Sequence, residues 1–284
     1  MKHCLLYSPF ANLFSEEGDL ETQILFGERV LFCNHKCYAY SQLFKDGALW
    51  RPYPGNRLCA DHMTCFSSIR LEPNAAIVSS SALLKPWNIP LPFGTLLVVD
   101  SKNRVRFPKE VLEALVEVWG PGEPWCVSRH LRFLNRDFSM ENLFRDAEQF
   151  LGFPYLWGGR CLHKNLEVLG VDCSGLINIL YQAQGYNIPR NSIDQYADCY
   201  PVANFNELPP GGFVFLNEKM SCISHVMLKR DSQRLIHASK TLGNVSNFIV
   251  GKDCQFTGNM LHSPRLGINV PAFFGFPKKR RAFL

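Results

Sequence analysis

Asp172-Cys173-Ser174-Gly175-Leu176 leads into a run in which Leu176, Ile177, Ile179, Leu180 and Ala183 fall on one helical face, and Gly185 follows as a C-terminal stop. The pattern predicts a helix with Cys173 in its first turn. Backbone N–H groups without intrahelical partners and the positive pole of the helix favour a thiolate there, predicting a pKa below the free value of about 8.5. The chain has 11 cysteines, and most cysteines are small buried hydrophobes. Placement, not mere presence, singles out Cys173.

Some fifty residues on, Ile223-Ser224-His225-Val226-Met227-Leu228 and Arg234-Leu235-Ile236-His237-Ala238 flank the polar stretch Lys229 to Gln233. Two apolar runs around a short polar turn predict a hairpin. A turn centred on Asp231 sets His225 directly opposite His237, with Cβ atoms about 5 Å apart on one face. Cys173, His225 and His237 then supply a nucleophile, a base and a residue that orients the base, the set that acyl transfer requires. An imidazole with a pKa near 6.5 can take the thiol proton and return it to a leaving amine. A neutral imidazole nitrogen of His237 can accept the N–H of His225. The competing reading of His237 is a satisfied core histidine.

Residues 139 to about 240 resemble the NlpC-type family of papain-like cell-wall peptidases. The matching strings are Phe153-Pro154-Tyr155-Leu156-Trp157-Gly158-Gly159, Asp172 to Leu176, Pro189-Arg190-Asn191-Ser192, Pro210-Gly211-Gly212, Ser224-His225-Val226 and His237-Ala238. The resemblance implies an α+β fold, a papain-like catalytic domain with a helix packed on an antiparallel sheet. It implies Cys173 as nucleophile, His225 as base, His237 as third member and Tyr155 as part of the oxyanion wall. The helix start at Cys173 offers a backbone N–H to the same oxyanion.

The first half resembles the branch of this family that carries bacterial SH3-like barrels, through Glu21 to Glu28 and, more loosely, Ser80 to Pro86 with Leu91 to Val99. The implied division is one barrel over 1–66, a second over 67–135 and the catalytic domain over 136–284. By itself the sequence pattern up to about residue 130 says only that short strands abound and helices are few. Thr64 to Pro73 is expected to connect the barrels. Ser128 to Phe138, lacking a Gly/Ser-rich linker, is expected to join barrel and catalytic domain tightly. Ser139 should begin a helix with Met140, Leu143, Phe144, Ala147, Phe150 and Leu151 on one face and Gly152 as its stop.

The resemblance further implies a cysteine endopeptidase that cuts the γ-D-glutamyl-diamino acid (diaminopimelate) bond of peptidoglycan stem peptides or murein fragments, favouring a free N-terminal L-Ala. Asp172, Ser174 and Ser192 occupy the positions that hold the ammonium, and Tyr53 is the nearest candidate for a tyrosine lent by the first barrel. A carboxylate facing a buried ammonium rejects a capped amine. An acidic residue before a helix also has a purely local use, as its N-terminal cap. Three features depart from the branch: the long segment Arg160 to Val171, expected to reshape the cleft mouth; Asn191 where Asp is usual; and Met227 in place of a small residue.

The net charge of +5 is mild, and its one dense run is Lys278-Lys279-Arg280-Arg281, which reads as a solvated tail. No nucleic-acid module and no apolar stretch near 18 residues is present, so neither nucleic acid nor a membrane span is expected. Met1 to Pro9 holds too short an apolar run for a signal peptide. The odd cysteine count without framework spacing points the same way, to a reducing cytoplasm. The reaction needs no cofactor. Two rival readings are an amidase or acyltransferase on the same three residues, and a zinc-stapled wall-binding module without catalysis. The second rests on Cys33, His35 and Cys37 alternating along one strand, with Cys59, His62 and Cys65 nearby.

Overall fold

The computed structural model describes residues 2–34, 36–46, 49–59, 63–66, 72–134, 137–167, 169–217, 222–278 and 280–281. It is rich in antiparallel sheet and has few helices. Near the amino terminus, a five-stranded sheet runs in the order Leu49–Gly55, Lys36–Asp46, Arg29–Cys33, Lys2–Leu6, Met63–Phe66. It encloses a core of Leu6, Ala11, Leu13, Ile24, Val30 and Ala39 with the strands Phe10–Phe14, Leu20–Leu25 and Arg57–Cys59. A second core, around Ile77, Leu84, Leu91 and Val111, lies between short strands and helix α1 (Lys109–Trp119). That helix went unread in the sequence, although Val111 and Leu115 stand one turn apart on its buried side.

Several expectations change here. Cys33 ends one strand and Lys36 begins the next, with Cys33 opposite Lys36 and Asn34 at a φ of +50°. Cys33 and Cys37 therefore sit on two arms of a hairpin, and the period-two argument for one metal-binding face fails. His35 and His62 lie outside the described residues, as does the side chain of Cys65. Among the described residues, no group of three or more His, Cys, Asp or Glu could hold a metal. Cys4, opposite Cys65 in its ladder, is disulfide-bonded, so the cysteines are not all thiols as an odd, scattered count suggested. Of the expected connector Thr64 to Pro73, the first part belongs to the strand Met63–Phe66, and 67–71 lie outside the described residues. Ser128 to Phe138 is more than a joint: Leu131–Phe133 is a strand paired with Ala75–Ile77.

The remainder packs helices on a sheet. Helix α2 (Met140–Glu148) is capped by the Ser139 hydroxyl, which accepts from Asn142 N at 3.2 Å. Helix α3 (Cys173–Gln182) is buried along its whole length, as its near-continuous apolar composition requires. It lies on an antiparallel sheet ordered Asn244–Ile249, Arg234–Ser239, His225–Lys229, Phe213–Leu216, Ile268–Pro277, Met260–Ser263, Gln255–Thr257. Val226, Leu228, Ile236 and Ala238 face α3 in one core. The alternate residues Met227, Leu235 and Phe248 enter another core on the opposite face. Among the described residues, no helix is long and apolar enough to cross a membrane.

Arg160 to Val171 ties these parts together. The Arg160 guanidinium, fully buried, places all five of its donors: on Asn178, the Gln23 carbonyl, both oxygens of Glu28, and Gln182, at 2.8–3.2 Å. Gln182 in turn donates to Glu28 at 2.9 Å and to the Gly94 carbonyl at 3.1 Å. His163 lies 2.8 Å from the Ala82 carbonyl through Nε2 and accepts from Asn165 N through Nδ1. Lys164 N reaches the Ser80 carbonyl at 2.7 Å. The segment expected at the cleft mouth thus serves, from Arg160 to Lys164, as the contact between the amino-terminal half and α3.

Removing one partner of a buried ion pair leaves an uncompensated charge and costs about 3–5 kcal/mol. Arg160→Ala, which strands Glu28, is expected to lower the unfolding free energy by about that amount in a urea titration. A loss under about 1 kcal/mol would contradict the role given to this network.

Candidate active site

Asp172 is the N-cap of α3, so Cys173 is its first residue. Asp172 Oδ1 accepts from Gly175 N at 2.6 Å, Ser174 Oγ at 3.2 Å and Arg190 Nη1 at 3.0 Å. Its Oδ2 accepts from Gly158 N at 2.9 Å and Arg190 Nη2 at 2.7 Å. The carboxylate therefore caps the helix and forms a bidentate pair with a buried arginine. Gly158 adopts a φ of +74°, and a Cβ there would stand 2.5 Å from the Leu20 carbonyl of the amino-terminal half. Only glycine lets this loop pass between that half and the carboxylate.

His225 opens its strand, and its Nε2 lies 2.8 Å from His237 Nδ1 on the neighbouring strand. The hairpin register differs from the expected one. Leu228 stands opposite Ile236 and Lys229 opposite Leu235, two residues away from the alignment that a turn centred on Asp231 gives. The histidines are diagonal neighbours, not directly opposed. A shift of two keeps both side chains on one face, whereas a shift of one separates them. Diagonal Cβ atoms are about 7–8 Å apart, within reach of two long side chains, and the ring centroids lie 5.1 Å apart.

Cys173 is 8% exposed, at the first position of α3, which packs against the His225 strand. Its resting state differs from the expected thiolate. Burial, together with the Asp172 carboxylate, pushes the thiol up to about 12, while the Val226 and Ser174 backbones and Arg190 act the other way without prevailing. Burial also lowers His225 to about 4, against a raising influence of Asp172. Burial and the neighbouring His225 hold His237 well below the usual imidazole range. All three groups are neutral near pH 7. Cys173 therefore rests as a thiol and not as a stored anion.

Tyr155 is half-buried against the α3 core, and its N–H donates to the Gly243 carbonyl at 2.9 Å. Ser174 is engaged by Arg190 Nη1 at 3.0 Å. Ser192 is the first residue of α4 (Ser192–Ala197), with Asn191 at the N-cap position but making no side-chain capping bond. Tyr53, buried in the first core, donates to Glu21 Oε2 at 2.7 Å and lies 3.3 Å from Asn191 Oδ1. Its hydroxyl is raised chiefly by burial, with Arg190 opposing and Glu21 reinforcing. Arg190 links the two groups, since its Nε donates to Thr22 Oγ1 at 2.7 Å. Glu21 and Arg190 carry no role that the sequence alone suggests. Glu21 stands in an exposed-looking polar run, and nothing in the local pattern reveals that Tyr53 and Asn191 close on it.

Residues 152–255 match the NlpC/P60 family, and that interval contains Cys173, His225 and His237. The chain carries an NlpC/P60 domain. Over 103 residues it is 33% identical to the gamma-D-glutamyl-L-lysine dipeptidyl-peptidase of Bacillus subtilis, covering 36% of this chain and 32% of that protein. Over 115 residues it is 30% identical to the peptidoglycan endopeptidase RipB of Mycobacterium tuberculosis, covering 38% of this chain and 46% of that one. The match thus spans less than half the length of these curated relatives. An NlpC/P60 family protein from Bacillus cereus shares the fold across 99% of both chains, with a TM-score of 0.70 at 16% identity.

His225 titrates from 6.5 in the unfolded chain to about 4 in the fold. Between those values the unfolded chain binds the extra proton, so the His225 contribution is complete above about pH 6.5 and is lost as pH falls through about 4, on the order of 3 kcal/mol in all. The variant His225→Gln, which cannot take up that proton, is expected to lose less unfolding free energy than wild type between about pH 7 and pH 4. Parallel losses in urea titrations would refute the neutral resting state.

Proposed function

We propose that the protein is a cysteine endopeptidase acting on the γ-D-glutamyl-diamino acid bond of peptidoglycan stem peptides, with a preference for a free N-terminal L-Ala. The observation that carries the reading is the histidine pair, 2.8 Å apart, with the backbone of Val226, next to His225, bonded to the buried Cys173 at a helix start. Relatives of the NlpC/P60 domain named for γ-D-glutamyl and peptidoglycan peptide bonds support the substrate class. Cys173 attacks the carbonyl as His225 takes its proton. His237 holds the His225 ring, the amide of the helix start and Tyr155 stabilise the oxyanion, and His225 then protonates the leaving amine.

The amine preference is a matter of charge. Asp172 is matched by Arg190, so the carboxylate best placed to add to it is Glu21, held by Tyr53 at the edge of the same group. An ammonium seated among Glu21, Asp172, Ser174 and Ser192 is paired, whereas an acylated amine brings no charge to the half-buried Glu21 carboxylate. Asn191 is neutral, so beside Tyr53 the negative charge is that of Glu21. In this reading residues 1–66 and 67–135 are SH3-like barrels, and the first contributes Glu21 and Tyr53 to the pocket of the catalytic domain at 136–284.

Incubation with L-Ala-γ-D-Glu-diaminopimelate and with its N-acetylated form, followed by mass spectrometry, tests the reading. Cleavage of the free form alone is expected, and Cys173→Ala should abolish it while keeping the fold. Glu21→Gln should lower kcat/KM for the free-amine substrate about ten- to a hundredfold. Equal cleavage of both forms would remove the amine preference, and cleavage of neither would remove the endopeptidase assignment.

A further inference from the structure

Thr22 and Gln42, on the strands Leu20–Leu25 and Lys36–Asp46 of the amino-terminal half, are both fully buried. The Thr22 hydroxyl lies 2.6 Å from Gln42 Oε1 and 2.7 Å from Arg190 Nε. Each of these bonds has one possible direction. A guanidinium has donors and no lone pair, so Arg190 Nε–H donates. The Gln42 amide is fixed, because its Nε2 donates to the Gln23 carbonyl at 3.0 Å and leaves Oε1 toward Thr22. An amide oxygen only accepts. The hydroxyl therefore gives its proton to Gln42 and its lone pair to Arg190. Gln42, Thr22, Arg190 and Asp172 form one line of bonds, which begins outside the matched residues 152–255 and ends beside Cys173.

Three donors fix the plane of the guanidinium. Nη1 and Nη2 of Arg190 meet the two oxygens of Asp172 at 3.0 and 2.7 Å, and Nε on Thr22 supplies the third point. Without that acceptor a buried Nε–H is stranded, and a tilt toward any other acceptor loosens the fork on Asp172. The loosening is felt at Cys173. The Asp172 charge opposes a thiolate there, and the Arg190 charge favours one. A looser pair exposes the thiol to more of the first and less of the second, so both changes have one sign. The other ionisable groups around this turn are His225 and His237 on the strand pair, Asp194 with Lys45 at α4, and Tyr53 with Glu21 beyond Arg190. None of them hydrogen-bonds to Thr22.

We propose that Thr22 is a positioning residue that, by holding Arg190 against Asp172, sets how readily Cys173 ionises. The inference rests on the role proposed for Cys173 as nucleophile and needs no particular peptide substrate. It gives the amino-terminal half a part in activating the thiol, separate from the amine recognition proposed for Glu21 and Tyr53.

Alkylation by iodoacetamide, followed at Cys173 by mass spectrometry of its peptide, reads the thiolate across pH. In Thr22→Val, which keeps the shape and lacks the hydroxyl, the pH–rate profile is expected to move up by about one unit, or about tenfold slower at a fixed pH. Thr22→Ser should restore the wild-type profile. A merely structural role for Thr22 lowers stability without displacing the profile, so a folded Thr22→Val variant with the wild-type profile would overturn the proposal. Should that variant not fold, wild type decides through hydrogen exchange of Arg190 Nε–H. Slow exchange is expected, and exchange at the rate of a free arginine would equally defeat the proposal. If wild type cleaves no stem peptide but the Thr22 variants shift as expected, the coupling stands and the substrate assignment alone falls.

Discussion

Two buried guanidinium groups hold the molecule in its working shape. Arg160 satisfies its five donors with Gln23 and Glu28 from the amino-terminal half and with Asn178 and Gln182 from α3, while Gln182 reaches on to Gly94 of the second core. Arg190 joins Thr22 of the amino-terminal half to Asp172 and Ser174 at the tip of α3. A buried charge is tolerated only when every donor and acceptor around it is met, and here the partners come from segments more than a hundred residues apart in sequence. The network can form only when the amino-terminal half is seated on α3, which makes that seating specific.

Because Arg190 sits between Thr22 and Asp172, the carboxylate that caps α3 also holds the amino-terminal half in place. Seating the amino-terminal half and fixing the start of α3 are one event. The same closeness brings Tyr53 and Glu21 to Asn191, at the start of α4. Burial, which makes this fit possible, also removes charge from Cys173 and His225. Enclosure holds the thiol and the imidazole neutral, with the Asp172 carboxylate reinforcing this at Cys173 and opposing it at His225.

The elements that local pattern governs were readable in advance. The apolar face from Leu176 to Ala183 places α3, and the polar turn between two apolar runs places the hairpin with His225 and His237 on one side. Ser139 and Gly152 bracket α2 with its following turn. The details that failed share one cause. The turn register moved by two residues, the Cys33 to Cys37 run folded back on itself, and Arg160 to Lys164 became a tether instead of a cleft rim. Each was decided by which distant backbone or side chain was available to pair with.

The sequence by itself determined that a cysteine begins a buried helix and that two histidines share a strand pair, because periodicity and capping act over a few residues. Only the tertiary structure decided the ionisation of Cys173, the partner of Asp172 and the arrival of Glu21 and Tyr53 beside Asn191. Those depend on burial and on charges brought together across the whole chain, and no local pattern encodes them.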